Sequence, residues 1–274
     1  MQLKQAILPI AGLGTRFLPW TKVVPKELLP LGNQPIIGLL VDECLACGIN
    51  DICFVISHGK ELIPQYFSPD PALEAELSKR GKSELLAQLQ RYDAVNFHIV
   101  YQEEQLGDGH AIMQATDWVS SDAVAILFGD DLIMGKKTGL EQLADAYGRL
   151  PKEKNTPAIL CLENVPKELV SKYGIVDIDP AQSKDRLKRV NGLVEKPKPE
   201  NAPSTLGIVG KYIIPRSTFD VFPTLSGDHH TEIRLIEALI KQLPTTPIYG
   251  YEVEGTRLDT GTPEGYRKAV QMMG

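Results

Sequence analysis

The feature that most constrains the fold is an apolar run near the N-terminus that stops abruptly at small residues. Residues 5–10 have the composition of a buried strand, and a glycine-containing loop follows. The loop residues predicted to bind a nucleotide are Ala11, Gly12, Leu13, Gly14 and Thr15. Because glycine has no side chain to block an approach, backbone N–H groups in such a loop can meet a phosphate chain. Arg16 and Lys26 add two positive charges, so the sequence predicts a nucleoside triphosphate site.

Two better-known glycine loops are weaker matches. The dinucleotide fingerprint needs a third glycine where this chain has Phe17. The P-loop pattern G-x-x-x-x-G-K-[ST] is absent from the sequence. An NAD-dependent dehydrogenase is therefore disfavoured.

Apolar runs alternate with helical patterns along the first half of the chain. This order predicts a Rossmann-like α/β fold, with a mostly parallel (mixed) sheet flanked by helices. The predicted strands are 5–10, 51–56, 96–101, 123–128 and 158–162, and the predicted helices are 35–47, 60–66, 109–116 and 139–148. One or two further helices are expected between residues 71 and 92. In the second half, strands are predicted at 173–178, 187–195 and 207–214, and helices at 232–242 and 262–272.

Composition narrows the class of protein. With 274 residues and no evident linker, we expect one domain over residues 1–274, with a nucleotide-binding half at about 1–150 and a sugar-phosphate half at about 151–274. The net charge of −6 argues against a nucleic-acid partner. No apolar window is long enough for a membrane span, and the N-terminus runs directly into the first strand. We therefore expect a cytoplasmic enzyme.

The cysteines do not predict a disulfide framework. Cys44 and Cys47 form a C-x-x-C, which is compatible with redox chemistry or half of a zinc site. They lie in a segment with helical apolar spacing, and no second pair completes a zinc site. Buried helix cysteines are the better interpretation.

Carboxylates follow one predicted strand and recur near the C-terminus. Asp130 and Asp131 come directly after the strand at 123–128, and Asp259 lies in an R-L-D-T-G segment. Carboxylates at a strand's carboxyl edge can hold Mg²⁺, which usually takes only one or two of them. Capping of turns or helices is the alternative role. We predict metal binding, with Asp130 preferred over Asp131.

Other polar groups suggest subsites for a base and a sugar phosphate. The Gln102 amide can pair with the edge of a pyrimidine, and Gly107 allows a base to approach the backbone. Glu195 can accept bonds from sugar hydroxyls, and Lys196 can hold a phosphate, although a solvated ion pair is the alternative. The small residues near a hexose would lie in two pairs, Tyr173-Gly174 and Val209-Gly210.

Taken together, these motifs resemble the nucleotidyltransferases that build nucleotide sugars, above all the bacterial UTP–glucose-1-phosphate uridylyltransferases (UDP-glucose pyrophosphorylases). The resemblance implies a nucleotide-diphospho-sugar transferase type of fold, and UTP and glucose 1-phosphate as substrates. It implies Mg²⁺ on Asp130 and Asp259, and a homodimer or homotetramer. It assigns uracil to Gln102 and Gly107. It assigns binding of the sugar to Glu195, Gly174 and Gly210, and binding of the sugar's phosphate to Lys196.

Two departures from the family pattern keep alternatives open. Asp108 stands where relatives more often have an apolar residue, and Asp228, His229 and His230 lie in a divergent loop, which is more consistent with a polar loop than with a transition-metal site. The alternatives are a transferase for dTTP or CTP with another sugar 1-phosphate, and a non-catalytic nucleotide-sugar sensor.

Overall fold

The computed structural model describes residues 3–225 and 232–273. The Asp228-His229-His230 loop singled out above lies outside the described residues. The strands are β1 (Gln5–Pro9), β2 (Pro30–Leu31), β3 (Gln34–Pro35), β4 (Asp51–Ile56), β5 (Asn96–Tyr101), β6 (Ala123–Leu127), β7 (Asp131–Met134), β8 (Ala158–Asn164), β9 (Gly174–Lys184), β10 (Leu187–Glu195), β11 (Leu206–Pro215), β12 (Ile248–Glu252) and β13 (Thr256–Asp259).

Helices connect and cover these strands. They are α1 (Ile36–Ala46), α2 (Leu62–Phe67), α3 (Pro71–Lys79), α4 (Ser83–Leu89), α5 (Asp108–Met113), α6 (Gly139–Gly148), α7 (Leu235–Gln242) and α8 (Pro263–Met273). Short 3₁₀ turns follow β1. One, Thr15–Phe17, lies at the end of the glycine loop of residues 11–15, and another, Lys26–Leu28, contains Lys26. Along the described chain, no helix is long and apolar enough to cross a membrane.

One nine-stranded sheet forms the centre of the molecule, in the order β5-β4-β1-β6-β11-β8-β12-β10-β9. Strands β5, β4, β1 and β6 are parallel neighbours, as are β8 and β12. Strand β11 runs antiparallel to β6 and β8, and β9 and β10 form an antiparallel pair. Side chains on the two faces pack into two apolar clusters. Parallel pairing brings the carboxyl ends of β1, β4, β5 and β6 to one edge, where α/β folds bind ligands.

The predicted α/β class with a mixed sheet flanked by helices is confirmed. The predicted strands at 51–56, 96–101 and 187–195 have the observed bounds, and so does the helix at 139–148. The helix α6 begins at a capping box, in which Thr138 accepts from the Glu141 N–H and the Glu141 carboxylate accepts from the Thr138 N–H. The Cys44-Cys47 pair lies on α1 and its C-terminal boundary, and all four cysteines are unbridged thiols.

Some element predictions were wrong for identifiable reasons. The sequence reading missed β7 and β13, which pair with each other although they are more than a hundred residues apart, so no local turn pattern reveals them. It also missed β12, a five-residue strand. The helix predicted at 232–242 starts only at Leu235, because Ile233 instead pairs with the loop before α5. The helix predicted at 60–66 starts at Leu62, because the Lys60 side chain turns inward.

Candidate active site

The glycine loop, residues 11–15, leaves the end of β1 at the carboxyl edge of the sheet. Ala11 is buried, whereas Gly12, Leu13, Thr15 and Arg16 are exposed. A Cβ on Gly12 would meet nothing within 4 Å, so this backbone faces open space. The hydrogen bonds among the described residues leave the N–H groups of residues 12–15 without a protein acceptor. Such a loop can receive an anion, as the sequence predicts.

Gly14 sets the direction of the loop. Its backbone has φ +64°, a left-handed conformation that favours glycine. The Thr21 hydroxyl donates to the Gly14 carbonyl over 2.8 Å, and this contact fixes the turn that presents Arg16. From there Arg16 donates through Nη1 to the carbonyl of Gly261 at 3.2 Å. The first loop of the chain is therefore in contact with its last loop.

Asp130 and Asp259 come together around Gly261. A Cβ placed on Gly261 would lie 2.8 Å from Oδ2 of Asp130 and 3.1 Å from Oδ1 of Asp259, so only glycine leaves the gap between the carboxylates open. Lys26 donates to Oδ2 of Asp130 at 2.7 Å. Burial lowers the pKa of Lys26, but Asp130 and Glu27 outweigh it and raise that pKa above its ordinary value. Lys26 therefore stays a cation at neutral pH.

The two carboxylates fit a hard divalent ion. Mg²⁺ prefers oxygen ligands and usually retains several waters, so one or two protein carboxylates suffice. In the part of the chain that the structure describes, no group of three or more His, Cys, Asp or Glu side chains is gathered for a metal. A sparse pair, with Asp130 and Asp259 as its members, agrees with Mg²⁺ better than with a metal that needs a closed protein shell.

Asp131 has a different partner. Arg257 reaches Oδ1 of Asp131 at 2.5 Å through both Nε and Nη2. Through Nη1 the same guanidinium donates to the Tyr173 hydroxyl at 3.0 Å. Burial raises the pKa of Asp131, and Arg257 opposes that rise. Sequence reasoning did not single out Arg257, although it lies two residues before Asp259.

Two buried ion pairs fix the segments that carry Lys26 and Asp131, and neither pair was predicted from the sequence. Lys60 donates to both carboxylate oxygens of Glu27 at 3.0 Å and to the Ile10 carbonyl at 2.6 Å. Lys211 lies 3.2 Å from the Glu43 carboxylate and donates to the Asp131 carbonyl at 2.9 Å. Burial lowers the pKa of Lys60 and raises that of Glu43. The first pair fixes the segment that carries Lys26, and the second fixes the turn that carries Asp131.

A cavity of about 1180 Å³ joins these groups to the predicted sugar-phosphate residues. The predicted site residues that line it are Arg16, Asp130, Tyr173, Gly174, Glu195, Lys196, Gly210 and Asp259. Lys26 does not line the cavity itself, but it donates a hydrogen bond to Asp130, which does. The Val209 side chain instead packs in the core.

Lys196 has an unusual backbone at the rim of this cavity. Its φ of +47° is left-handed, which non-glycine residues rarely adopt. Its N–H donates to the Tyr173 carbonyl at 3.0 Å, which holds the conformation. Its Nζ lies 3.1 Å from Glu195. Strained backbone of this kind concentrates at functional sites, where the surrounding structure fixes a side chain's direction.

Gln102 and Gly107 lie together, outside the lining of this cavity. The Gln102 amide nitrogen donates to the Gly107 carbonyl at 3.1 Å and lies 3.1 Å from Nδ1 of His110. Gly107 has φ +105°, and a Cβ there would lie 2.5 Å from the Ile233 carbonyl oxygen. Asp108, the departure noted above, accepts a bond of 2.7 Å from the Leu235 N–H and so caps α7.

Comparison with known proteins identifies similar chains. The chain is 37% identical over 274 residues to the UTP–glucose-1-phosphate uridylyltransferase YngB of Bacillus subtilis, covering all of this chain and 90% of that one. It is 38% identical over 270 residues to the UTP–glucose-1-phosphate uridylyltransferase of Staphylococcus haemolyticus, covering 98% of this chain and 91% of the relative.

Solved structures and a family model give the same result. The UTP-bound UGPase of Acinetobacter baumannii superposes with a TM-score of 0.88 at 34% identity, covering all of this chain and 94% of that one. A UDP-glucose pyrophosphorylase complexed with UDP-glucose gives 0.86 at 30% identity, with 99% and 98% coverage. The model of the nucleotidyl transferase family matches residues 5–273. The resemblance inferred from the motifs is thus confirmed, and the chain belongs to the nucleotidyl transferase family.

Proposed function

We propose that this chain transfers the uridylyl group of UTP to α-D-glucose 1-phosphate, giving UDP-glucose and pyrophosphate, with Mg²⁺ required and without a covalent enzyme intermediate. The observation that carries the proposal is the single cavity that joins Arg16, Lys196 and the Asp130-Asp259 pair. The names of the relatives support the choice of substrates. The structures with UTP and with UDP-glucose belong to similar proteins and support the same choice.

The chemistry needs no protein nucleophile. A phosphate oxygen of glucose 1-phosphate attacks the α-phosphorus of UTP, and the bond from that phosphorus to the bridging oxygen of the β-phosphate breaks. Lys196 would hold the attacking phosphate in line, while Arg16 and Lys26 would stabilise the charge on the departing pyrophosphate. Gln102 and Gly107 would bind uracil. The loop formed by Ala11, Gly12, Leu13, Gly14 and Thr15 would bind the phosphates. Asp130 and Asp259 would hold Mg²⁺, which would supply positive charge to offset the negative charge of the reacting phosphates.

The direct test is an assay of the purified protein for pyrophosphate release. We expect UTP with glucose 1-phosphate to be the best pair in a panel that includes dTTP, CTP and other sugar 1-phosphates. Chelation by EDTA should abolish turnover, and added Mg²⁺ should restore it. Binding of nucleotide sugar without any pyrophosphate release would favour the sensor, and a clear preference for dTTP or CTP would change the substrates.

The gap at Gly261 gives a sharper test of the metal pair. Gly261→Ala should push apart Asp130 and Asp259, because its Cβ would lie within 3.1 Å of both. We expect the Mg²⁺ concentration for half-maximal activity to rise about tenfold, which corresponds to about 1.4 kcal/mol of binding free energy. Isothermal titration of Mg²⁺ in the presence of UTP should show the same shift. The control is Gly148→Ala, where a Cβ meets nothing within 4 Å. An unchanged Mg²⁺ requirement in Gly261→Ala would remove this pair as the metal site.

A further inference from the structure

One carboxylate oxygen of Glu195 contacts two positively charged side chains. Both Nζ of Lys196 and Nη1 of Arg234 lie 3.1 Å from Oε1. The other oxygen, Oε2, faces Gly174, where a Cβ would lie only 3.3 Å away. All four residues line the large cavity. The carboxylate is thus oriented through Oε1 by charge, while Oε2 has no hydrogen-bond partner among the described residues and can accept a bond from a substrate hydroxyl.

Arg234 is itself held in place by its neighbours in the chain. Its Nε and Nη2 donate to Oε2 of Glu232 at 3.1 and 2.7 Å. The flanking N–H groups are also bound. Ile233 donates to the Leu106 carbonyl at 2.7 Å, and Leu235 donates to Asp108. Ile233 is thus bound to the loop before α5 and Leu235 to the first residue of α5, so the backbone that presents the guanidinium to Glu195 is fixed on each side.

The two cations on Glu195 have different parts in the proposed reaction. Lys196 is the group proposed to bind the sugar's phosphate, so its ammonium is shared between that phosphate and Glu195. Arg234 is not assigned to any substrate group. It is therefore able to stay paired with Oε1 when a substrate binds. A charge-assisted bond of this kind fixes direction as well as charge.

We propose that Arg234 is a positioning residue, which orients Glu195 toward a sugar hydroxyl and thereby sets the discrimination between hexose 1-phosphates. The inference rests on the proposed function, and it assigns to Arg234 the recognition of a neutral hydroxyl through Glu195. Removing the guanidinium leaves Glu195 held by Lys196 alone, and the carboxylate is then free to follow that ammonium toward the phosphate.

The test compares Arg234→Gln and Arg234→Lys with the wild type on three substrates at saturating UTP: glucose 1-phosphate and its 2-deoxy and 3-deoxy analogues. The wild type should use at least one analogue poorly. In Arg234→Gln, we expect KM for glucose 1-phosphate to rise about tenfold, and the preference over that analogue to fall by a similar factor. KM for UTP should stay unchanged, and Arg234→Lys should restore part of the preference.

The controls separate this role from general damage. Arg80→Gln removes an exposed arginine just after α3, which pairs with Glu76 of that helix, and it should leave the kinetics with all three substrates unchanged. Melting temperatures identify a misfolded variant, in which case Arg234→Lys carries the comparison. A preference in Arg234→Gln equal to the wild type's, an equal rise in KM for UTP, or a wild type that accepts both analogues fully would each overturn the proposal. A folded wild type that makes no UDP-glucose would instead refute the proposed function. The role of Arg234 would still be decided by the preference for the sugar 1-phosphate that the enzyme does use over its deoxy analogues, compared between the wild type and Arg234→Gln.

Discussion

Replacing Lys196 by alanine is expected to lower kcat/KM for UDP-glucose synthesis by about 10²–10³-fold, the cost typical of losing one group that stabilises charge at a reaction centre. The ammonium lies at the rim of the cavity, and its backbone is held in a left-handed conformation by the bond to the Tyr173 carbonyl. Alanine retains the N–H that makes this bond, and it removes the ammonium together with the aliphatic chain that carries it. Steady-state kinetics with varied glucose 1-phosphate would measure the loss.

The matched control for this prediction is Lys198→Ala. Lys198 is exposed and lies two residues further along the same segment. It should retain wild-type kinetics, because it does not line the cavity. If Lys196→Ala turned over at a near-normal rate, Lys196 would not be the residue that holds the attacking phosphate. A loss shared equally by the two variants would point to the segment's structure in place of the ammonium's charge.

Glu27→Gln is expected to destabilise the protein by about 3–5 kcal/mol, since removing one partner of a buried ion pair leaves an uncompensated charge. Glu27 is 1% exposed, and Lys60 is buried against it with a carbonyl as its other partner. Urea unfolding followed by circular dichroism would measure the change. We also expect weaker UTP binding, because Glu27 anchors the segment that presents Lys26.

The same substitution at an exposed pair provides the comparison. Glu264 and Lys268 form an i,i+4 pair on α8, with both side chains largely exposed. Glu264→Gln should leave the free energy of unfolding essentially unchanged, because water screens an ion pair between exposed side chains. If both substitutions changed the free energy of unfolding equally, burial of the Glu27-Lys60 pair would not be the cause of the expected destabilisation.

The parts of the site that could be predicted are those in which composition and position in the chain imply a chemical role. The Gly12-Gly14 loop after an apolar strand predicted backbone N–H groups free to meet a phosphate, and among the described residues these N–H groups have no acceptor in an exposed loop. Asp130 and Asp259 were paired through the family resemblance, and the structure brings them to opposite sides of Gly261. Gln102 and Gly107 were both assigned to the base through the resemblance, and the structure joins them by a hydrogen bond, although their role toward the base stays a prediction.

The parts that could not be predicted depend on partners distant in the chain. Glu27 and Lys211 look like ordinary surface charges in the sequence, because charged residues are rarely buried unless a partner is present. Their partners, Lys60 and Glu43, are separated from them by chain that shows no periodic relation. Arg257 was missed for the same reason, since its contact with Asp131 depends on the non-local pairing of β7 with β13.

The contact between Arg16 and Gly261 has a consequence for how the protein is made. The two residues are 245 positions apart, and the Phe17 and Tyr266 rings and the bond from Tyr266 to Pro30 reinforce the same junction. A partly synthesised chain in which β1, β4, β5 and β6 have left the ribosome can form the parallel part of the sheet and the glycine loop. It still lacks Asp259 and α8. Under the proposed function, catalytic competence therefore arrives only once Asp259 and α8 have been made, and nascent chains stalled before that point should not consume nucleotide.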